Sequence, residues 1–429
     1  TTSPIDGDSD ADSDSDADTD SDTDSDTGST DSGSDSDSAD TDQLLDGCDD
    51  QAGINPTAAD SFGAGAVRAT HLPVSCGTGS SVEQDMGPPE NRINLILISD
   101  GYTAAELETS WPLHVDNALD VMFSPASEPY NTYRRFINVC RLNVASNESG
   151  VDVATGNWPP SEYIYSEYRD TTFDGVCNED NRLGTMDEGK VYAAINDILT
   201  GTGIEADWVG GVLNTDGWCN AGGGIAFWAG YTTPLDVAFH ESGHSWHGLA
   251  DEYGGEGQTY TGGERWEVNV TIYDGGKWEE WEGFDQPVAG LIDWYEGAYY
   301  ADAGIYRPSN IGKMRWVEDP HNAVSMQKMV QDFYDLVRPV DAWTDNGGTL
   351  VNPCRLQIRL VDADLVDVAW FIDDVEVTTT DPETLWLNPL NLAAGTHTVR
   401  VEVEDNTEFV RVDGENLRQS ISWTVERSL

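Results

Sequence analysis

Basic residues are scarce in this chain. Its 429 residues carry 21 Lys and Arg against 79 Asp and Glu, a formal net charge of −58, and the first 50 residues hold 19 Asp with no Glu, Lys or Arg. A surface this acidic repels the phosphates of nucleic acids and of anionic membranes, which excludes nucleic-acid binding and suits divalent cations. Long apolar runs are missing too. The best, Ile93 to Ile98, is a buried strand by length, far below the eighteen or so residues of a membrane span. The six cysteines (Cys48, Cys76, Cys140, Cys177, Cys219, Cys354) form no C-x-x-C. That argues against a thiolate zinc site or a redox motif, and the even number suits disulfides in an exported protein. An export signal is expected ahead of Thr1, which places the protein outside the cell or on a bacterial cell surface. Histidine is the last scarcity: there are seven, and three fall within the eight residues His240 to His247.

From Asp6 to Asp42 Asp alternates with Ser, Thr or Ala. With almost nothing apolar to bury and dense like charge, residues 1–47 read as a disordered, extended stalk. Carboxylates at every second position suggest weak Ca²⁺ association, although the Gly turn and bidentate Glu of a calcium loop are lacking. Residues 48–90 read as an irregular N-terminal segment. Residues 91–340 alternate strand and helix patterns: a strand at Ile93 to Ile98, a helix from Thr103, a strand in "RRFINVCRLNVA", a helix from Glu188 and a strand in "DWVGGVLNT". This implies an α/β (α+β) layered domain. Residues 353–429 hold only short alternating segments between Asp, Asn, Gly and Pro turns, the pattern of an all-β Ig-like sandwich that should fold as its own unit.

The histidines lie in "LDVAFHESGHSWHGLADEY". On a helix His240 and His244 project from one face a turn apart, spanning two corners of a Zn²⁺ tetrahedron, and Glu241 beside them takes the general-base position of H-E-x-x-H. The third ligand has three candidates. His247 shares the metal face if the helix continues; if Gly248 ends it, a turning chain brings back Asp251, the favoured ligand, or Glu252. Three protein ligands leave a position for water, with Glu241 as proton acceptor and then donor. Tyr306, with Arg307, is the candidate donor to the oxyanion. Asp100, ending a buried strand, reads as a functional carboxylate or a turn cap. Trp266, Trp278, Trp281 and Trp294 read as buried bracing or a substrate cleft, and Asn269-Val-Thr271 fits a glycosylation acceptor.

"HESGHSWHGLADEY" resembles the H-E-x-G-H-x-x-x-G-L-A-D-E-Y signature of the IgA-peptidase family of zinc metallopeptidases, relatives of the metzincins. "LILISDGYTAAEL", "SNESGVDV" and "YEGAYYADAGIYRPSNIGKMR" resemble further segments of that family in the same order, so the likeness covers roughly Asn91 to Arg338. It implies a zincin-like catalytic domain with His240, His244 and Asp251 as metal ligands, Glu241 as base and Met314 as the methionine beneath the metal. Two departures are visible. The stretch from His244 to Asp251 is one residue longer than the usual metzincin spacing, and His247 stands where the family places a small or apolar residue. The expected function is a secreted or surface-bound zinc endopeptidase acting on extracellular protein or peptide substrates, possessing no membrane span. A surface adhesion or filament-forming protein that keeps the peptidase scaffold is the alternative, and surface attachment or self-association is compatible with both.

Overall fold

Strand Ile93–Asp100 is buried along its entire length, with Ile93, Leu95 and Leu97 packing on one side and Ile96 and Ile98 on the other. A strand buried on both faces belongs to the middle of a sheet covered by helices on both sides. The computed structural model, which describes residues 54–55, 73–156, 159–180, 182–231, 235–255, 257–273, 275–412 and 414–428, has this arrangement. The acidic stalk at 1–47, its Ca²⁺ association and most of the 48–90 segment lie outside the described residues.

The central sheet has six strands: β1 (Ser80–Gln84), β2 (Ile93–Asp100), β3 (Ile137–Leu142), β4 (Trp208–Leu213), β5 (Ala221–Gly222) and β6 (Ala226–Ala229), in the order β5-β6-β4-β2-β3-β1. β6, β4, β2 and β3 are parallel, and the edge strands β1 and β5 run antiparallel to their neighbours. One face packs on α1 (Ser110–Met122), α3 (Asp236–Ser245) and α4 (Ala323–Leu336), and the other on α2 (Glu188–Leu199). α2 begins where its sequence pattern does, with the Asp187 carboxylate accepting from the Lys190 amide at 3.0 Å. The helix expected from Thr103 starts instead at Ser110, after a 3-10 turn at Glu106–Glu108. Pro112 explains the shift: it sits in the first turn of α1, where its missing N–H costs nothing, whereas a helix begun at Thr103 would carry it in the interior.

Among the described residues from 340 onward the regular structure is strand, apart from short 3-10 turns. One sheet orders 349–351, 418–427, 395–405, 366–372 and 375–377; the other orders 54–55, 340–344, 355–360 and 384–386. Strand 340–344 in one sheet and strand 349–351 in the other thus both lie ahead of residue 353. Alternate residues point inward, and Trp370 and Trp423 stack with ring centroids 5.6 Å apart. Leu356, Trp370, Val401 and Trp423 share one apolar cluster with Val115, Phe239 and Phe333 of the helical layer. The strand pattern predicts a separable module; the structure instead joins both parts through a single core.

Polar contacts close the same interface. Asp405 Oδ2 accepts from two buried tyrosines, Tyr133 at 2.6 Å and Tyr334 at 2.8 Å. The Arg411 guanidinium lies 4.2 Å from the ring centroids of both Trp281 and Phe284. Replacing Asp405 with Ala takes this acceptor from both hydroxyls and leaves Tyr133 only Thr407 Oγ1, and a buried group left without a partner costs about 1–3 kcal/mol. We expect Asp405→Ala to lower the unfolding free energy by roughly 2–4 kcal/mol in urea titrations, and a change under about 0.5 kcal/mol would show that the interface is not held this way.

Candidate metal centre

α3 follows β6 and carries His240 and His244 one turn apart, with ring centroids separated by 4.8 Å and the ring planes nearly perpendicular. Each imidazole is held by its outer nitrogen. His240 Nδ1 donates to the Lys313 carbonyl at 2.8 Å, and His244 Nδ1 donates to the Leu249 carbonyl at 2.7 Å. A carbonyl only accepts, so both Nδ1 atoms carry a proton and both Nε2 atoms face the cluster, where they can ligate a metal once unprotonated. Gly243, between the two histidines, leaves room for the methionine expected beneath the site: a Cβ there would come within 2.5 Å of Met314 Sδ. Trp246 stacks on Trp208 at 4.8 Å and anchors the end of the helix to the sheet.

The helix stops before His247. Gly248 adopts a left-handed conformation (φ 59°) that a side chain would strain, and the Leu249 amide bonds back to the Gly243 carbonyl at 2.9 Å. The chain reverses there and delivers Asp251 to the imidazoles. Asp251 Oδ1 lies 3.2 Å from both His240 Nε2 and His244 Nε2. Ligand atoms of a tetrahedral zinc site are separated by about 3.3 Å, given metal–ligand bonds near 2.0–2.1 Å. Asp251 Oδ1 is buried with no hydrogen-bond donor of its own, so the three atoms converge on a point that suits a cation. These residues fit a metal ion.

The other two ligand candidates are engaged elsewhere. His247 is buried in a bridge to α4, with Nε2 2.9 Å from the Tyr130 hydroxyl and Nδ1 2.8 Å from Asp332 Oδ2. Glu252 is fully buried and accepts from Asn269 Nδ2 at 2.9 Å and Asn322 Nδ2 at 3.0 Å. Burial pushes its carboxyl up to about 7. Glu252 thereby ties the chain after Asp251 to the N-cap of α4.

Electrostatics mark the same cluster. Burial opposes the charged form of Asp251, but the two imidazoles outweigh it and hold its pKa well below the usual carboxylate range. On His244 burial works against the proton, yet Asp251 and Glu241 prevail and push the pKa up to about 9. Glu241 is raised, chiefly by burial. Its carboxylate faces the edge strand β5, where Gly222 permits a close approach: a Cβ at Gly222 would lie 2.7 Å from His244 Cβ and 3.1 Å from Glu241 Oε2.

The tyrosine that reaches the cluster is not Tyr306. Hairpin strands β7 (Tyr295–Ala298) and β8 (Ala301–Arg307) place Tyr300 at their turn, and its hydroxyl donates a short hydrogen bond to Asp251 Oδ2. Tyr306 is six residues further along β8, on the order of 20 Å in extended chain, where its backbone pairs with Thr271. The Arg307 guanidinium is spent on the Ser309, Glu296 and Gly297 carbonyls and on Asn310. The tandem Tyr299-Tyr300 in the "GAYYADAG" segment was the available signal for Tyr300.

The lesser candidates are structural. Asp100 is fully buried and accepts from Ser146 Oγ at 3.0 Å and from the Phe173 and Gly175 amides at 3.1 and 2.7 Å, fastening loops to the end of β2. Asn269 is fully buried with its amide bonded to Ala250 and Glu252, which removes it as a glycosylation acceptor in the folded protein. Trp278 and Trp281 are buried in a small cluster with Trp294 packed against it, while Trp266 is exposed beside Gly248.

The family model described as IgA Peptidase M64 matches residues 82–291, a span that contains His240, Glu241, His244 and Asp251. The chain belongs to this family of metal-dependent peptidases. No curated protein shows a significant match to the sequence. Membership makes the chain a peptidase with a protein substrate, and among the described residues no helix is long and apolar enough to cross a membrane. Tyr300 and Met314 lie beyond the matched span.

A metal must displace the proton that metal-free His244 holds below about pH 9. Metal affinity of the M64 peptidase should therefore rise with pH through the neutral range and level off above about 9. Calorimetry in buffers of different ionisation enthalpy should show about one proton released per metal bound near pH 7. Binding without proton release would contradict this account of His244.

Proposed function

We propose that this M64 peptidase is a zinc-dependent endopeptidase, exported to the outside of the cell or to its surface, that cuts extracellular proteins. The observation that carries the reading is the convergence of His240 Nε2, His244 Nε2 and Asp251 Oδ1 on one point beside Glu241. Two neutral imidazoles and one carboxylate form a borderline-soft donor set that suits Zn²⁺ over the all-oxygen ligation of Ca²⁺ or Mg²⁺. A zinc ion held there supplies a Lewis acid that polarises a scissile carbonyl and brings the pKa of water toward neutrality.

The chain's own residues do the remaining work. Glu241, kept basic enough by its burial, takes the proton of the attacking water as the oxygen adds to the carbonyl carbon, then passes it to the amine as the C–N bond breaks. The carbonyls of Lys313 and Leu249 fix the tautomer of each imidazole, and Gly222 leaves Glu241 the space to face the cleft beside β5. A protein retaining the fold only as an adhesion scaffold has no use for this cradle.

The disulfides Cys76–Cys140 and Cys177–Cys219, with Cys354 also oxidised, support an oxidising compartment. We read the two C-terminal sheets as an Ig-like sandwich that braces the catalytic layers through α4 and serves positioning or substrate recognition. The substrate class we assign is extracellular protein in general, not immunoglobulin in particular.

Glu241→Gln keeps the shape of the site and removes the proton carrier. It should bind zinc as the parent does and lose about 10²–10⁴-fold in kcat on a protein substrate. A variant that keeps both zinc and most of its turnover would overturn the role of Glu241.

A further inference from the structure

We propose that Tyr300, backed by Tyr253, is a positioning residue that confines Asp251 to one-oxygen coordination and so keeps the fourth position of the metal open. The inference rests on His240, His244 and Asp251 holding the metal, as proposed above.

The two oxygens of Asp251 have different surroundings. Oδ1 faces both imidazole nitrogens at 3.2 Å and lacks a donor, whereas Oδ2 accepts from the Tyr300 hydroxyl. A carboxylate whose second oxygen is free can close onto the same cation with both, as it does in many hard-cation sites, and would then occupy the position a substrate or water needs. Tyr300 blocks that swing. A phenol has one proton, and the Tyr253 hydroxyl, 3.2 Å away, donates into the Tyr300 oxygen, which directs the Tyr300 proton to Asp251. The rings meet edge to face with centroids 5.1 Å apart.

The backbone is built around this contact. The Tyr299 amide donates to the Asp251 carbonyl at 3.0 Å and the Tyr300 amide to the Tyr253 carbonyl at 3.1 Å, which stitches the hairpin turn to the ligand segment. Both turn residues sit in the left-handed region, Tyr299 at φ 48° and Tyr300 at φ 61°. Gly or Asn adopts that conformation at lower cost than a bulky aromatic, and strain of this kind collects where a side chain has a task. The Tyr300 side chain is not needed for the core either: the residue is 53% exposed. Its hydroxyl instead engages the Asp251 carboxylate and the second tyrosine.

The test replaces zinc with Co²⁺ in the full chain and compares the parent with Tyr300→Phe and Tyr253→Phe, since cobalt absorption in the visible range weakens as coordination rises from four to five. The parent should give the intense four-coordinate spectrum. Tyr300→Phe should give the weaker spectrum of higher coordination, with kcat of the zinc form lower by about tenfold or more and KM within about twofold. Tyr253→Phe, which spares the hydrogen bond from Tyr300 to Asp251 and removes the second hydroxyl beside it, should shift both readouts in the same direction by less. A Tyr300→Phe protein with the parent's spectrum and kcat would overturn the inference while leaving the metal site intact. If Tyr300→Phe does not fold, the Tyr253→Phe result decides, with an unchanged spectrum and kcat counting against the proposal. A parent that takes up no cobalt would overturn the metal site, and this inference with it.

Discussion

A buried carboxylate oxygen that faces two imidazole nitrogens and has no other partner is tolerable only with positive charge against it. Asp251 Oδ1 is such an atom. Leaving a buried charged acceptor unpaired costs several kcal/mol, so the pocket must hold a proton or a cation. Without metal the proton falls on His244, and the rest of the site is arranged so that a metal can replace it. The tautomers are fixed from outside by backbone carbonyls, the helix ends early enough for the chain to return, and Met314 fills the space beneath Gly243.

Much of the surrounding structure serves to hold one short segment, 248–253, against one helix. Glu252 ties it to the N-cap of α4 through Asn322 and to the 269 loop through Asn269. His247 joins the end of α3 to α4 through Asp332. α4 in turn meets the C-terminal sheets at Tyr334 and Asp405. A continuous line of packing and hydrogen bonds therefore leads from the ligand segment to the last strands, which accounts for a C-terminal region that shares the catalytic core. The sheets thereby limit how far α4 can move, and with it the floor of the site.

Elements with strong local signals were legible in the sequence. The apolar run at Ile93, the capped helix at Glu188 and the H-E-x-x-H spacing each follow from periodicity or from ligand geometry on a helix. Asp251 was favoured as third ligand and meets the imidazoles because Gly248 stops the helix, a backbone effect that the sequence advertises. What was not legible depends on contacts distant in the chain. Tyr300 reaches Asp251 only because a hairpin turn folds back across some fifty residues, a contact that the tandem Tyr299-Tyr300 hints at but does not specify. The engagement of Arg307 and Asn269 with buried carbonyls, and the shared core of the two regions, likewise come from tertiary packing.

The central claim is that one cation sits among His240, His244 and Asp251. The most direct measurement is anomalous X-ray scattering at the zinc edge from crystals of the zinc-loaded protein. The account predicts a single strong peak about 2 Å from His240 Nε2, His244 Nε2 and Asp251 Oδ1, with Asp251 Oδ2 clearly further away. A peak ligated by His247 or Glu252, or no peak on α3, would contradict it.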